Sequence, residues 1–454
     1  MKEQNPLSPP IGSSQRSIRR RLLSGGVWAF AGKILSSATT VLVTAILARL
    51  LTVKEMGDYF LLFSLVSVLA VLAQLGLDQT VVRLVASSMG KGMPGQGRAA
   101  VNAVFRCGIL GALLVAVLTL GIGPWLAQRV FHSPLLAIVI TIAPLWIAVS
   151  ALQNLTAETF RSFHDIRLAS FFTRSVSNVI CAVLLASLWL WGRHASLAEA
   201  VIISIVAGTA TVLIAGLILR RRVRSLSDDG QMSSKQVLVA ALPQLITNLT
   251  LFANIQAGLW ILGATRPQEE TAIYGAAMRL VVLVNMPMVI VNSFVSPIIA
   301  EMYAQKKSRE LETTLRATAT LAGIPAFAAL GAFLLMGKLI LGTVYGSYYG
   351  AGATILALLS AGQLVNVWSG SCGLTLIMSG HQSTMMKITV VCGLLNAAGA
   401  LWLVRGYGGI GIAAATASAT ILQNLLMLMF AKKKTGVWTH ARFSVLTSRQ
   451  IFAR

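Results

Sequence analysis

Charged side chains are scarce in this sequence. Asp, Glu, Lys and Arg make up 11% of the 454 residues, whereas soluble globular domains carry about 25%. Only 14 residues are acidic, and 56% are hydrophobic. A chain of this length with so little charge cannot cover itself with a polar surface. The composition therefore excludes an ordinary soluble protein and places most of the chain in a lipid bilayer.

Cysteine is also rare, and its spacing is uninformative. The four cysteines lie inside apolar segments and form no C-x-x-C pair: Cys107, Cys181, Cys372 and Cys392. This pattern argues against a disulfide framework or a cysteine-based metal site, and we interpret all four as packing residues. No nucleotide-binding loop or cluster of metal ligands is present in the sequence, so we expect neither a metal nor a cofactor.

Long polar segments are missing too. No stretch between the apolar segments is long enough for a separate soluble domain, and the predicted external loops have about ten residues or fewer. An enzyme acting on glycans, such as a membrane polymerase or ligase, would need a larger external loop for its catalytic groups. The net charge of +23 does not indicate a nucleic-acid partner, because the bases form short clusters between apolar segments.

The stretch from Arg16 to Tyr59 shows the pattern that the rest of the chain repeats. A cluster of arginines precedes an apolar run over 25–51, and a short polar turn follows it. At 1.5 Å per residue this run of roughly 27 residues crosses a bilayer core of about 30 Å. The apolar core of a signal peptide is about half as long, so we predict a retained membrane helix.

Apolar length predicts twelve such segments and an all-α membrane protein. They lie near 25–51, 59–77, 99–123, 135–157, 168–192, 197–219, 236–263, 272–298, 315–337, 350–378, 384–404 and 408–431. With the N-terminus placed in the cytoplasm, most lysines and arginines fall in cytoplasmic segments, as bilayer orientation requires. We therefore predict a multi-pass membrane protein with both termini cytoplasmic.

The most basic loop, 220–235, divides the twelve segments six and six. The seventh segment resembles the first, since "LARLLTVKEMGDYFLLFSLV" aligns with "ILGATRPQEETAIYGAAMRLV" through Tyr59 and Tyr274. Six segments per half make the repeat parallel, with a pseudo-twofold axis along the membrane normal. The predicted organisation is a disordered N-terminus at 1–15, an N-lobe at 16–224, a linker at 225–235, a C-lobe at 236–431 and a basic cytoplasmic tail at 432–454.

The ordered series of segments resembles a known family. "SGGVWAFAGKILSSATTVLVTAILARLLTVKEMGDYF", "LAQLGLDQTVVRLVA", "VYGSYYGAGATILALLSAGQL", "LIMSGHQSTMMKITV" and "YGGIGIAAATASATILQNLLM" are similar to the Wzx-type flippases of bacterial polysaccharide and O-antigen synthesis. These flippases belong to the multidrug/oligosaccharidyl-lipid/polysaccharide (MOP) exporter superfamily, which includes the MATE transporters. The resemblance implies two six-helix lobes, alternating access and a polyprenyl-pyrophosphate-linked oligosaccharide as cargo.

Basic residues inside the apolar segments are the first candidates for a binding site. Lys33, Arg106, Arg174 and Arg279 each place a cation where membrane insertion is costly, and such residues usually have a functional reason. A cationic cavity would suit pyrophosphate or acidic sugars, with Arg clamping phosphate oxygens. For residues near a cytoplasmic helix end the alternative is snorkelling to the interface. Arg49, at the outer end of the first segment, is a candidate for an outer gate or an interfacial anchor.

Carboxylates are few near the predicted cavity. Asp78 and Glu158 lie near cytoplasmic ends of the second and fourth segments and are candidates for ion coupling. Asp78 and Arg83 are close enough along the chain to form a structural ion pair. The sequence therefore does not show what would drive transport.

The seventh segment, "LPQLITNLTLFANIQAGLWIL", carries several amides. Asn248, Asn254 and Gln256 are candidates for contacts with sugar hydroxyls or an ion, or for hydrogen bonds between helices. Pro243 in the same segment would interrupt its backbone hydrogen bonds. Further bend candidates are Pro287 and Pro325.

Three hypotheses of function follow. The first is an export flippase for the lipid-linked oligosaccharide, with membrane lipids around it and a glycan polymerase as a candidate partner. The second is a cation-coupled multidrug antiporter of the same fold, which would need acidic groups deep in its cavity. The third is an enzyme, which the short loops disfavour. A lipid II flippase stays open as a close relative of the first, and a scaffolding role has no support.

Overall fold

The chain folds almost entirely into helices. The computed structural model describes residues 11–163, 165–192, 194–227 and 230–442, and no strand occurs among them. Residues 1–10, most of the segment predicted to be disordered, lie outside the described residues, as do 443–454 of the predicted tail. The first helix already begins at Ile11.

Fifteen α-helices, one π-helical turn and one 3₁₀ turn make up the fold. They are α1 Ile11–Leu50, α2 Val53–Ala73, α3 Leu77–Gly90, α4 Pro94–Arg129, α5 Pro134–Val139, α6 Ala143–Ser162, α7 Ile166–Ser170, the π-turn Phe171–Ser175, α8 Val176–Leu190, α9 Leu197–Arg224, α10 Ser234–Thr265, α11 Gln268–Ala304, α12 Ser308–Tyr345, the 3₁₀ turn Ser347–Gly352, α13 Ala353–Ser369, α14 Cys372–Met378 and α15 Gln382–Thr435.

The twelve predicted segments all correspond to helices. By length and composition, ten helical segments of the described chain could cross a membrane. One of them, α15, joins the last two predicted segments across Gly408, whose φ of 54° and ψ of −135° interrupt the helix. The predicted segment near 135–157 is formed by α5 and α6. The fold class predicted from the sequence is therefore confirmed.

The outer faces of the bundle are apolar, as lipid contact requires. Large hydrophobic side chains are exposed along the helices, including Leu114 at 68% and Leu335 at 88%. Exposed tryptophans occur where α4, α8 and the first half of α15 end: Trp125, Trp191 and Trp402. Aromatic residues of this kind are typical of a membrane–water interface. These observations define a multi-pass membrane protein.

Following the division predicted from the sequence, we call helices α1–α9 the N-lobe and helices α10–α15 the C-lobe. Their main mutual contact is the crossing of α2 with α11 and α10. Glycine permits a close approach there: Gly57 on α2 lies against the backbone of Gln268, at the start of α11. Trp260 of α10 donates a hydrogen bond to Ser64 of α2 at 2.8 Å. These two contacts join α2 to the first helices of the other lobe.

Residues 436–442 form a C-terminal strap on the C-lobe. Val437 is fully buried, and the Thr439 hydroxyl donates to the carbonyl of Ser369 at 2.6 Å. The backbone N–H of Ala441 donates to the carbonyl of Trp368 at 2.8 Å. The predicted basic tail is thus helical through Thr435 and then packs against α12 and the end of α13.

His440 connects the strap to α12. Its Nε2 lies 2.7 Å from a guanidinium nitrogen of Arg316. Because a guanidinium can only donate, Nε2 must accept this bond and the ring must be neutral. Burial and the nearby Arg316 both lower the pKa of His440, which keeps the ring neutral around pH 7.

Gly370 allows the strap to pack closely against the end of α13, and a substitution at Gly370 should loosen this packing. Gly370 has a φ of +73°, and a Cβ there would overlap the carbonyl of Thr439. We expect Gly370→Ala to destabilise the protein by about 1–3 kcal/mol, from backbone strain plus displacement of the strap.

The measurement is the melting temperature in detergent. Gly380→Ala is the matched control, because Gly380 also has a positive φ of +82° but open space at its Cβ. Equal losses in the two variants would show that the strap contact adds nothing beyond strain.

Candidate functional site

A large cavity lies where the two lobes meet, between α1, α2, α6, α10, α11 and the segment 166–190. We call it the cationic chamber. Its volume is about 560 Å³. Lys33, Arg161, Arg174 and Arg279 all line it, together with Asn154. The structure thus brings three of the four predicted intramembrane cations to one cavity.

A local widening of the helix presents Arg174. Residues Phe171–Ser175 form a π-turn between α7 and α8. Such turns are rare and are found mostly as single turns inside helices, frequently at functional sites. The guanidinium of Arg174 lies 5.5 Å from the centre of the Phe63 ring on α2. The sequence analysis did not predict this turn.

Arg279 approaches the same ring from the other lobe. Its guanidinium carbon lies 4.2 Å from the centre of the Phe63 ring and 5.6 Å from that of Phe60. Cation–π contacts of this kind stabilise a partly desolvated cation by about 0.5–2 kcal/mol. Because Arg174 and Arg279 share Phe63, their guanidinium carbons lie within 10 Å of each other.

No counter-ion neutralises these two arginines. Among the described residues, neither Arg174 nor Arg279 forms an ion pair, and no Asp or Glu lines the chamber. Arg161 differs, since Glu158 pairs with it at 3.0 Å. At a separation of about 10 Å and an effective dielectric of about 20, two like charges repel by about 2 kcal/mol. An anion bound between them would relieve this repulsion.

Lys33 stands at the end of a polar stripe on α1. Ser36, Ser37 and Thr40 follow it at helical spacing and line the same chamber, so one face of α1 is polar. Lys33 is exposed to the cavity. The sequence analysis did not identify this stripe, although polar residues three, four and seven positions after Lys33 indicate one polar face of a helix.

A second cavity opens within the C-lobe, between α10, α11, α13, α14 and both parts of α15. We call it the amide chamber. Its volume is about 540 Å³, and the two chambers share Lys33, Ile255, Met278 and Val282. Asn254, one of the predicted polar candidates, lines it, whereas Gln256 lines the cationic chamber.

Arg106 and Arg49 lie apart from the chambers. Arg106 is exposed on the face of α4 that carries Ile109 and Leu113, and it lines neither chamber. Arg49 donates a 2.7 Å hydrogen bond to the carbonyl of Thr343 on α12. Since α1 and α12 belong to different lobes, Arg49 joins the lobes at the predicted outer end.

The acidic candidates form structural contacts. Asp78 does not pair with Arg83, which was the sequence prediction; it accepts a 3.1 Å hydrogen bond from Asn248 of α10, and Arg83 donates to the carbonyl of Ala240 at 3.4 Å. Neither Asp78, Glu158 nor Asn248 lines a chamber. For Asp78 and Glu158, the position near a helix end was the only sequence signal. Such a position does not show whether a side chain faces a cavity, another helix or solvent.

The candidate hinge prolines lie within continuous helices. Helices α10, α11 and α12 continue through Pro243, Pro287 and Pro325 respectively. Backbone breaks occur instead at Gly76, with a φ of 74° between α2 and α3, and at Gly408. Whether the prolines act as hinges stays a prediction. Among the described residues, no cluster of three or more His, Cys, Asp or Glu could hold a metal ion.

Solved structures with this architecture are membrane transporters. An inward-facing multidrug resistance MATE transporter of the MOP superfamily is 12% identical, with a TM-score of 0.76 over 93% of this chain and 99% of that chain. The lipid II flippase MurJ in an inward closed conformation is 14% identical, with a TM-score of 0.69 over 90% and 87%. An outward-facing MATE transporter is 12% identical, with a TM-score of 0.63 over 94% and 96%. The fold is that of the MOP-superfamily transporters.

The sequence comparison identifies the family. Residues 22–303, more than half of the chain, match the family described as "Polysaccharide biosynthesis protein". The chain therefore belongs to the polysaccharide biosynthesis protein family. Among curated proteins, no sequence is similar enough to count as a match. This family and the MOP-superfamily fold together support the predicted resemblance to polysaccharide flippases of the MOP superfamily.

Proposed function

We propose that this protein is an inner-membrane flippase that moves a polyprenyl-pyrophosphate-linked oligosaccharide from the cytoplasmic to the outer leaflet. The observation that carries the proposal is the cationic chamber, which Lys33, Arg174 and Arg279 line and which no described carboxylate lines. Pyrophosphate is the anionic part of such a lipid, and guanidinium groups bind phosphate oxygens in pairs.

The positions of the cations suggest how binding is coupled to movement. Lys33 and Arg174 belong to the N-lobe and Arg279 to the C-lobe. A pyrophosphate held by both sides would draw the lobes together around it and offset the repulsion between the arginines. The prenyl tail would stay in the bilayer while the lobes rock, so no covalent chemistry is needed.

The proposed orientation places both termini in the cytoplasm. In this orientation the close contacts of Gly57 with Gln268 and of Arg49 with Thr343 close the outer end of the cavity. A glycan polymerase that takes the flipped unit is a natural partner in this scheme.

A cation-coupled multidrug antiporter is the competing function, because the fold is shared. Carboxylates are the groups that would hold a cationic drug or a coupling ion. Neither of the two large chambers is lined by a described Asp or Glu. The lining therefore favours an anionic cargo. Lipid II is also a polyprenyl pyrophosphate, so the choice between it and another glycan depends on the sugar.

Transport in proteoliposomes tests the proposal. The purified protein would be reconstituted with fluorescent polyprenyl-pyrophosphate oligosaccharides, including lipid II, and movement between leaflets measured by quenching from outside. We expect flipping of at least one of these lipids and no efflux of organic cations such as ethidium. Cation efflux without lipid flipping would support the antiporter instead.

A further inference from the structure

The amide chamber differs sharply from the cationic chamber in its chemistry. Lys33, on the shared wall, is the one charged side chain among its described lining residues. Side-chain amides come from four helices of the C-lobe and line the chamber: Asn254, Asn285, Asn292, Gln363, Asn366 and Gln423. Polar groups buried without hydrogen-bond partners are costly, so an uncharged polar cavity of this size inside a membrane protein indicates a functional role.

Helix α11 separates the two chambers and faces both. Asn285 and Asn292 are two helical turns apart and therefore lie on one face of α11. Arg279 is six residues before Asn285, about a third of a turn away around the helix axis. The same helix thus presents a cation to one chamber and amides to the other, while Met278 and Val282 line both. A single molecule could occupy both chambers at once.

The amide chamber presents hydrogen-bond donors. The carbonyl oxygen of Asn292 accepts from Ser371 at 2.7 Å, and that of Asn285 accepts from Asn366 at 3.3 Å. Their NH₂ groups donate to none of the described residues. Each of these two amides therefore keeps two donors for a ligand. Sugar hydroxyls, ring oxygens and acetamido carbonyls are acceptors that match such donors.

Other features of the chamber fit a saccharide. Its volume of about 540 Å³ lies within the range of about 300–1,000 Å³ that is typical of small-molecule sites. Met286, Met385 and Met427 line part of its wall, and methionine adapts to irregular shapes. Charge is absent from the parts that a neutral sugar would contact.

We propose that the amide chamber is the glycan-binding subsite, which holds the uncharged sugars of the lipid-linked oligosaccharide while the cationic chamber holds the pyrophosphate. This inference rests on the proposed function. The substrate would lie across α11, with its anionic part beside Arg279 and its sugars beside Asn285 and Asn292. The amide chamber would then select the glycan, and the cationic chamber would accept any polyprenyl pyrophosphate.

Binding of matched lipids to the protein in nanodiscs tests the subsite. The probes are sugar-free polyprenyl pyrophosphate and the same lipid carrying glucose, galactose or N-acetylglucosamine. We expect the wild type to bind at least one sugar-bearing probe about tenfold more tightly than the sugar-free lipid. The double variant Asn285→Leu/Asn292→Leu, which keeps the branched shape of the side chains and removes their hydrogen-bonding groups, should lose that preference and bind the sugar-free lipid with unchanged affinity.

Two further variants separate the possible outcomes. Gln423→Leu removes an amide that bonds to no described residue, and it should reduce the sugar preference even if the double variant folds poorly. Arg279→Gln should weaken binding of all probes alike. Equal loss of both kinds of probe in the amide variants, or no preference for sugar in the wild type, would overturn the subsite alone. Binding of none of the lipids by the wild type would overturn the proposed function and this inference together.

Discussion

Replacing Arg174 and Arg279 together by glutamine should reduce lipid flipping by at least 100-fold. Each arginine can form charge-assisted hydrogen bonds to phosphate, and each such bond contributes about 1.5–3 kcal/mol. Losing one bond at each position therefore weakens binding by more than two powers of ten, at about 1.4 kcal/mol per tenfold. The assay is the quenching measurement in proteoliposomes, with equal protein incorporation in all samples.

The same double variant should keep its stability. Both arginines lack a carboxylate partner among the described residues, and unpaired cations in a desolvated site are costly to the fold. We therefore expect a melting temperature equal to or above that of the wild type, which a purely structural role for these residues would not give. The wild-type contacts with Phe63 oppose this effect but are weaker.

Arg106→Gln is the matched control for this experiment. It removes one positive charge from a helix of the N-lobe, whereas the double variant removes two, and Arg106 lies outside both chambers. Transport should stay within about twofold of the wild type. If Arg106→Gln and the arginine double variant lost activity equally, total charge would matter and the cationic chamber would not be the site.

Gly57→Ala should reduce transport by tenfold or more through a different cause. A Cβ at Gly57 would overlap the backbone carbonyl of Gln268. A flexible side chain could rotate away from such a clash, but a helix backbone cannot. The α2–α11 contact, which we place at the outer end, would therefore be held apart. Closure of that end is part of every alternating-access cycle, so the cycle should stop in outward-open states.

A distance measurement can separate this effect from unfolding. Spin labels at Lys54→Cys and Lys338→Cys, both exposed and on different lobes, would report the width of the outer end. The four native cysteines are buried, so they should label poorly. We expect a longer mean distance in Gly57→Ala. Gly121→Ala on α4, where a Cβ meets open space, is the control and should leave both distance and transport unchanged.

The positions of the helices could be predicted because every membrane segment has to be stable in the same hydrocarbon environment. The cost of placing a side chain in hydrocarbon is summed along the segment, so apolar length reveals a membrane helix without knowledge of its neighbours. Segments such as 236–263 and 315–337 were therefore found, although α12 extends further, from Ser308 to Tyr345. The cationic residues inside them were equally visible, because charge in an apolar run is rare.

What the sequence determined by itself was the membrane class, the helix series, the family resemblance and the set of intramembrane cations. The tertiary structure decided which of them face one another. Arg106 and Arg174 look alike in sequence, but only Arg174 lies beside Arg279 over Phe63. Asn285 and Asn292 became candidate binding residues only because α11 lies between the two chambers. Helical periodicity defines a face, and only the packing of distant segments determines whether that face meets lipid, protein or a cavity.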